Sequence, residues 1–111
     1  MKLLIVDDNS KIREMLKDMF SENFTEIREC QDGIESLDAY KEFLPDWVFM
    51  DVKMKKMDGI TATKNIKKSY PNAKILVVTD YNDIELKKQA LSGGALGYVL
   101  KENVFEIYNY L

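Results

Sequence analysis

The chain has 111 residues, of which 46% are hydrophobic and 32% are charged, and its formal net charge is -3. These values are typical of one globular domain with a single core, and they exclude a disordered or fibrous chain. The negative charge gives no reason to expect direct nucleic-acid binding, and the absence of histidine excludes Ser-His-Asp catalysis, Cys-His catalysis and a phosphohistidine on this chain.

The single cysteine and the first apolar run indicate where the protein works. Cys30 has no second cysteine to pair with, so no intramolecular disulfide can form, which fits a reducing compartment. The run from Leu3 to Val6 is too short for a signal peptide or a membrane span. We therefore predict a cytoplasmic protein with no membrane partner.

Short apolar runs alternate with helical patterns along the chain, without repeats or a linker. Leu3 to Val6 predicts a buried strand, and the apolar residues that follow recur at the spacing of one helical face. A weaker strand, Glu26 to Cys30, precedes a helix that starts near Gly33 and ends before Pro45. The first half thus predicts two strand-helix units.

The second half predicts three more strands. Trp47 to Asp51 is the first of them, and a loop to Gly59 then leads into a helix through Ile66. Lys74 to Thr79 is the most strand-like segment of the chain, because β-branched and apolar residues follow one another there.

The last predicted units are a helix from about Ile84 to Ser92, closed by Gly93 and Gly94, and a strand from Gly97 to Leu100. A short final helix is predicted to begin near Val104. Five strands alternating with five helices predict an α/β fold with one doubly wound, five-stranded parallel sheet and helices on both faces.

Polar residues stand at the ends of the predicted strands. Asp7 and Asp8 follow the first strand, Asp51 ends the third, Thr79 ends the fourth and Lys101 follows the fifth. The functional crevice of an open parallel sheet lies at the carboxyl ends of its strands. We therefore expect these five side chains to meet at one rim of the sheet.

Each of these residues also has an ordinary structural interpretation. Asp7 and Asp8 could simply cap the next helix, and Asp51 could be a solvated carboxylate at a strand end. Thr79 could be an ordinary strand residue, and Lys101 a surface charge. Taken singly the ordinary interpretation is favoured, but five coincidences at one rim favour the functional one.

Five sequence strings together resemble the receiver domains of two-component response regulators. They are Leu4–Asp8, Phe49–Asp51, Met57–Gly59, Val78–Thr79 and Gly97–Lys101, and they span almost the whole chain. The resemblance implies a flavodoxin-like sheet with strand order 2-1-3-4-5. It also implies a signalling switch that is turned on by phosphorylation of an aspartate.

The resemblance assigns roles to the rim residues. Crowded carboxylates repel one another, so they either raise a pKa or recruit a cation, and oxygen ligands favour a hard ion such as Mg²⁺. By resemblance, Asp8 and Asp51 bind Mg²⁺ directly, Asp7 binds through water, and the backbone carbonyl of Lys53 is a further ligand. Asp51 is the expected nucleophile that becomes an acyl phosphate, and Lys101 neutralises the transferred group. The donor is expected to be a phosphohistidine of another protein, a sensor histidine kinase or a histidine phosphotransfer protein.

The same resemblance predicts how the signal leaves the site. Thr79 is expected to turn toward the phosphoryl group, and Tyr98 to rotate from an exposed position into the vacated space. The surface made by the fourth helix, the fifth strand and the last helix would then change, shifting an equilibrium between two states. Homodimerisation on phosphorylation is one consequence that this change leaves open.

Three residues are predicted to control access to the phosphoryl group. Lys53 and Tyr81 are long enough to cover the in-line approach of water to phosphorus, which predicts a long-lived phosphorylated form. Asp80 stands where relatives usually carry a small residue. Its carboxylate could either orient a water molecule or repel the phosphoryl group.

A departure from the usual pattern bears on the output. Glu102 follows Lys101 where relatives commonly have proline, which resembles receivers of NarL/LuxR-type transcription regulators. We expect residues 1–111 to be the N-terminal receiver domain of a longer regulator whose DNA-binding output domain is absent from this chain. The expected activity is limited to assisting its own phosphotransfer and autodephosphorylation, so the domain is not predicted to be an enzyme.

Three other classes of protein share some of these sequence features. A phosphatase of the haloacid dehalogenase type needs a second Asp two residues after the nucleophile, where this chain has Lys53. A nucleotide-binding α/β domain needs a glycine-rich loop after the first strand, which is also missing. A pseudo-receiver, which binds proteins without being phosphorylated, stays open because of Asp80.

Overall fold

The fold, described for residues 1–111 by a computed structural model, is built on one parallel sheet. The sheet has five strands in the order β2-β1-β3-β4-β5, which confirms the predicted doubly wound, flavodoxin-like topology. The strands are β1 Lys2–Val6, β2 Glu26–Cys30, β3 Trp47–Met50, β4 Ile75–Thr79 and β5 Gly97–Leu100.

Four α-helices and one 3₁₀ helix cover the sheet. They are α1 Ser10–Phe20, α2 Gly33–Phe43, α3 Gly59–Ser69, α4 Ile84–Ser92 and the last helix, Lys101–Asn109. The last helix is divided at Asn103, whose backbone is not helical, so its second segment begins at Val104, as predicted. The turn at Lys101 and Glu102, directly after β5, was not predicted. No helix combines the length and the apolar character needed to cross a membrane.

The alternation of side chains along each strand divides the core between the two faces of the sheet. Leu3 and Ile5 pack with Phe20 and Phe49 under α1 and the last helix. Leu4 and Val6 pack with residues of α2 and α3 on the other face. Because β1 is buried on both faces, its sequence is a continuous apolar run.

The two faces are not covered equally along the sheet. The helix α3 buries the five residues Gly59, Ile60, Ala62, Thr63 and Ile66. By contrast, α4 buries only Ala90, in a small third cluster that includes Val77 and Ala95. The edge of the sheet beneath α4 is therefore held by fewer and smaller side chains.

Helix starts are fixed by side-chain caps. Asn9 accepts hydrogen bonds from the amides of Lys11 and Ile12 at the start of α1, at 2.9 and 3.4 Å. At the end of α4, Gly94 has φ 110°, a conformation that glycine adopts without strain. These local signals explain why sequence pattern alone locates most of the elements.

Candidate functional site

Strand register brings the first and third strands' acidic residues together. Val6 pairs with Met50, and Met50 pairs with Val77 in the parallel ladder. The amide of Asp51 continues this ladder by donating to the carbonyl of Val6 at 2.9 Å. Asp51 therefore leaves the sheet beside Asp7, although the two residues are far apart in the sequence.

Three carboxylates form a cluster at this rim. Oxygen atoms of Asp7, Asp8 and Asp51 all lie within 4.8 Å of one another. Asp7 and Asp51 are buried, with 2% and 6% of their surface exposed, whereas Asp8 is exposed. This donor set, hard and open to water on one side, fits a magnesium ion that keeps several water ligands.

Lys101 is the cation that the structure places against this cluster. Its Nζ atom lies 2.9 Å from Oδ2 of Asp7 and 3.5 Å from Oδ1 of Asp51, and its side chain is only 8% exposed. Asp80, a mostly exposed residue, approaches the same Nζ atom at 3.7 Å. Burial alone would lower the pKa of Lys101, but the hydrogen bond to Asp7 and the charges of Asp51, Asp7 and Asp80 raise it.

The pKa of Asp51 is raised to about 6, first by burial and next by the negative charge of Asp7. The charge of Lys101 and a 2.9 Å hydrogen bond from the Val52 amide act in the opposite direction, while Asp8 adds a smaller increase. A bound cation would restore the carboxylate form that a nucleophile requires. The cluster is thus electrostatically suited to receive a positive ion.

Thr79 and Tyr98, the two predicted switch residues, both contact the backbone of Tyr81. The fully buried Thr79 accepts a hydrogen bond from the Tyr81 amide on its Oγ1 atom at 3.2 Å. The half-buried Tyr98 donates its hydroxyl hydrogen to the Tyr81 carbonyl at 2.6 Å. The loop between β4 and α4 is therefore held at Tyr81 by two hydrogen bonds, one to its amide and one to its carbonyl.

The predicted access residues Lys53 and Tyr81 meet at the mouth of the site. The Nζ atom of Lys53 lies 5.3 Å from the centroid of the Tyr81 ring, in the range of a cation–π contact. Both side chains are exposed, so this contact is weak and can open. The backbone carbonyl of Lys53, predicted as a metal ligand, belongs to the loop that follows β3.

Asp32 is a residue near this loop that was not among the predicted site residues. It is 6% exposed, and its carboxylate accepts hydrogen bonds from the backbone amides of Ile34, Lys56 and Met57. Burial alone would raise the pKa of Asp32, but these three hydrogen bonds and the charge of Lys56 lower it. The only signal in the sequence is an Asp immediately before a helix, which indicates a cap and not a contact with a distant loop.

A polar groove of about 280 Å³ lies between α4, β5 and the last helix, on the surface that is predicted to carry the signal. The groove is lined by Asn82, Asp83, Ile84, Lys87, Tyr98, Leu100, Asn103 and Glu106. Tyr98, whose hydroxyl group binds the Tyr81 carbonyl, therefore lines this groove.

Comparison with known proteins points to one family. Residues 3–108 match the family model described as response regulator receiver domain. The chain is 38% identical over 100 residues to the chemotaxis protein CheY of Halobacterium salinarum, covering 90% of this chain and 83% of that protein. It is 37% identical over 103 residues to the transcriptional regulatory protein LnrK of Bacillus subtilis, covering 91% of this chain but 47% of that protein.

Solved structures agree with these relatives. A LuxR-family two-component response regulator from Aurantimonas superposes with a TM-score of 0.89 at 29% identity, covering 97% of this chain and 79% of that chain. The CheX–CheY–BeF3–Mg²⁺ complex of Borrelia burgdorferi gives a TM-score of 0.86 at 29% identity, covering 100% and 90% of the two chains. Both the chemotaxis-type and the LuxR-type resemblance are therefore confirmed.

Proposed function

The chain belongs to the response regulator receiver domain family, and from that premise we propose that Asp51 accepts a phosphoryl group from a phosphohistidine. The donor would be a sensor histidine kinase or a histidine phosphotransfer protein. The observation that carries the proposal is the buried Asp51, which lies next to the carboxylates of Asp7 and Asp8 and 3.5 Å from the Lys101 ammonium group.

Magnesium is the cofactor that this cluster would hold. Asp8 and Asp51 would bind it directly, together with the Lys53 backbone carbonyl. Asp7 already has a partner on each oxygen, since Oδ1 accepts from the Asn9 amide and Oδ2 pairs with Lys101. This pairing favours contact of Asp7 with the metal through water. When bound, the ion supplies positive charge that offsets the charge of the phosphoryl oxygens.

The transfer itself needs little from the protein except position and charge. A carboxylate oxygen of Asp51 attacks phosphorus, the phosphorus–nitrogen bond to the donor histidine breaks, and an acyl phosphate remains on Asp51. The released histidine nitrogen keeps the bonding electron pair. The Nζ atom of Lys101 lies 3.5 Å from Oδ1 of Asp51, so it can pair with the oxygens of a phosphoryl group on Asp51 without a large movement of its side chain.

The output step would begin at Thr79. Its hydroxyl oxygen already accepts from the Tyr81 amide, and a hydroxyl can donate its hydrogen to a phosphoryl oxygen at the same time. A movement of Thr79 toward Asp51 would pull on Tyr81, whose carbonyl holds the Tyr98 hydroxyl. The surface of α4, β5 and the last helix would respond.

We propose further that residues 1–111 are the receiver part of a longer regulator, with transcription as the output. The match to less than half of LnrK supports this proposal, because that regulator contains a second portion outside the match. DNA binding would belong to an output domain outside these residues. Three further points remain predictions. They are a cytoplasmic location, a homodimer of the phosphorylated form, and an activity limited to the domain's own phosphotransfer and autodephosphorylation.

A pseudo-receiver is the second candidate, and Asp80 is the observation that favours it. Its carboxylate lies 3.7 Å from Lys101 Nζ, the atom that the phosphoryl group would need as a partner. Competition for this charge would weaken phosphorylation. However, Asp80 is largely exposed, and the pair with Asp7 is shorter, so we favour the phosphorylated switch.

Mass spectrometry of the intact protein after exposure to Mg²⁺ and a small acyl phosphate tests this function. We expect one phosphoryl adduct on the wild type, none on Asp51→Asn and a reduced fraction on Asp8→Asn. No adduct on the wild type, together with an adduct on Asp80→Ala, would identify a domain that Asp80 keeps inactive. No adduct on either would favour the pseudo-receiver.

A further inference from the structure

The loop between β3 and α3, residues 51–58, has no secondary structure of its own, yet it carries the Lys53 carbonyl. A backbone carbonyl can serve as a ligand only when the loop conformation points it at the ion. One internal bond closes the base of the loop, from the Gly59 amide to the Val52 carbonyl at 2.8 Å. Something else must fix the far part of the loop.

Asp32 fixes that far part from the start of α2. Its Oδ2 atom accepts from the Lys56 amide at 2.8 Å, and its Oδ1 atom accepts from the Met57 amide at 3.0 Å. The same Oδ1 atom caps α2 through the Ile34 amide at 3.0 Å. One buried carboxylate therefore joins the helix and the loop, which are more than 20 residues apart in the chain.

Close packing at Gly33 shows that this contact is built into the backbone. A Cβ atom at Gly33 would lie 2.6 Å from the carbonyl oxygen of Met57 and 3.3 Å from that of Asp58. A glycine beside Asp32 lets the loop approach α2 closely enough for the carboxylate to reach both amides. The helix start and the metal loop thus form one packed unit.

We infer that Asp32 is a positioning residue, which holds the β3–α3 loop in the conformation that presents the Lys53 carbonyl to Mg²⁺. The inference rests on the proposed function, because the carbonyl matters only if the cluster binds the metal. Groups that orient metal ligands without touching the ion commonly change affinity by about tenfold or more. Asp32 fits this role because it is largely buried and accepts two hydrogen bonds from the loop.

The alternative is that Asp32 matters only as the cap of α2. Asp32→Ser separates the two roles, since Ser caps helices about as well as Asp but is too short to reach the loop. Asp58→Ser is the matched control, because it also replaces a helix-capping Asp by Ser and removes one negative charge next to the loop. The side chain of Asp58 accepts hydrogen bonds only from the amide and hydroxyl groups of Thr61, in the helix that Asp58 caps.

The experiment measures two quantities in each variant, amide exchange at Lys56 and Met57 without metal, and the Mg²⁺ dissociation constant from amide chemical shifts. We expect Asp32→Ser to speed exchange at both amides and to weaken Mg²⁺ binding about tenfold. Asp58→Ser should stay within twofold of the wild type. Asp32→Asn, which keeps one acceptor oxygen, should fall between Asp32→Ser and the wild type.

Two results would overturn the inference while leaving the proposed function intact. In the first, the exchange at Lys56 and Met57 rises in Asp32→Ser but the Mg²⁺ affinity matches that of Asp58→Ser. In the second, the exchange does not rise at all. Absence of Mg²⁺ binding by the wild type would instead overturn the proposed function and the inference together.

Discussion

The two loops that border the acidic cluster are held in different ways. The loop before α3 is tied down by Asp32 and leads into a helix that buries five residues. The loop before α4 is held at Tyr81 by Thr79 and Tyr98, and α4 buries only Ala90. A metal site needs fixed geometry, whereas a switch needs an element that small energies can move. Under the proposed function, the contrast suits the loop before α3 to the metal site and the loop before α4 to the switch.

The largest expected effect compares two glycines at the ends of these helices. A Cβ atom at Gly59 would overlap the carbonyl oxygen of Asp51. One at Gly93 would meet the flexible Lys64 side chain at 3.1 Å and the Gln89 carbonyl oxygen at 3.2 Å, which is tight but not an overlap. We expect Gly59→Ala to lower the free energy of unfolding by about 3 kcal/mol or more and Gly93→Ala by less than about 1 kcal/mol. Urea denaturation measures both, and equal losses would remove the contrast between the helices.

The second prediction concerns the charge at Asp51 in metal-free buffer. Its folded-state pKa, about 6, lies above the unfolded value, so its contribution to stability is complete at low pH and is lost as pH rises through 6. Asp51→Asn avoids this loss and should be more stable by about 3 kcal/mol at pH 7, with the difference nearly vanishing near pH 4. Thermal unfolding across this pH range tests the sign.

Magnesium provides the control for the second prediction. Under the proposed function, saturating Mg²⁺ should bind strongly only to the wild type and stabilise it, so the advantage of Asp51→Asn should shrink or reverse. An advantage that is unchanged by both pH and Mg²⁺ would show that the effect comes from packing and not from charge.

Much of this comparison could be predicted from the sequence. The runs Leu3–Val6 and Ile75–Val78 are buried on both faces, and such runs locate the strands whose ends carry Asp7 and Thr79. Once a parallel sheet is assumed, those ends must share a rim. The acidic cluster follows from this topology and needs no long-range information.

The contacts that distinguish the two loops could not be predicted. The hydrogen bonds from Lys56 and Met57 to Asp32 join distant parts of the chain, and no local pattern encodes them. The turn at Lys101 and Glu102 was also not predicted, because it follows β5 without a loop, whereas the segment after Asn103 begins at Val104 as expected. Tertiary contacts override local propensity in both places.

The third prediction concerns the weak contact between Lys53 and Tyr81. Lys53→Asn and Tyr81→Glu should each speed loss of the phosphoryl group roughly tenfold, about 1.4 kcal/mol of barrier, because each opens the approach and supplies a group that can orient water. Radiolabel release or loss of the adduct by mass spectrometry gives the rate. If neither variant is faster than the wild type, these two side chains do not shield the phosphoryl group.

The smallest expected effect isolates one hydrogen bond on each side of the sheet. Tyr98→Phe loses the bond to the Tyr81 carbonyl, and Tyr108→Phe loses an equivalent bond to the Met19 carbonyl at 3.0 Å. Each should cost about 1 kcal/mol or less in stability. Only Tyr98→Phe should speed amide exchange in α4. The same exchange pattern in both variants would show that the Tyr98 hydrogen bond does not hold α4 in place.

The exposed strand β2 has a consequence for how the protein behaves at high concentration. It forms one edge of the sheet and carries Glu26, Arg28 and Glu29, and both Arg13 and Lys17 reach Glu29 from α1. An open strand edge is a template for pairing with another chain, and charged side chains on it discourage that pairing. The charges that make β2 the weakest strand signal in the sequence therefore also protect the folded domain against edge-to-edge aggregation.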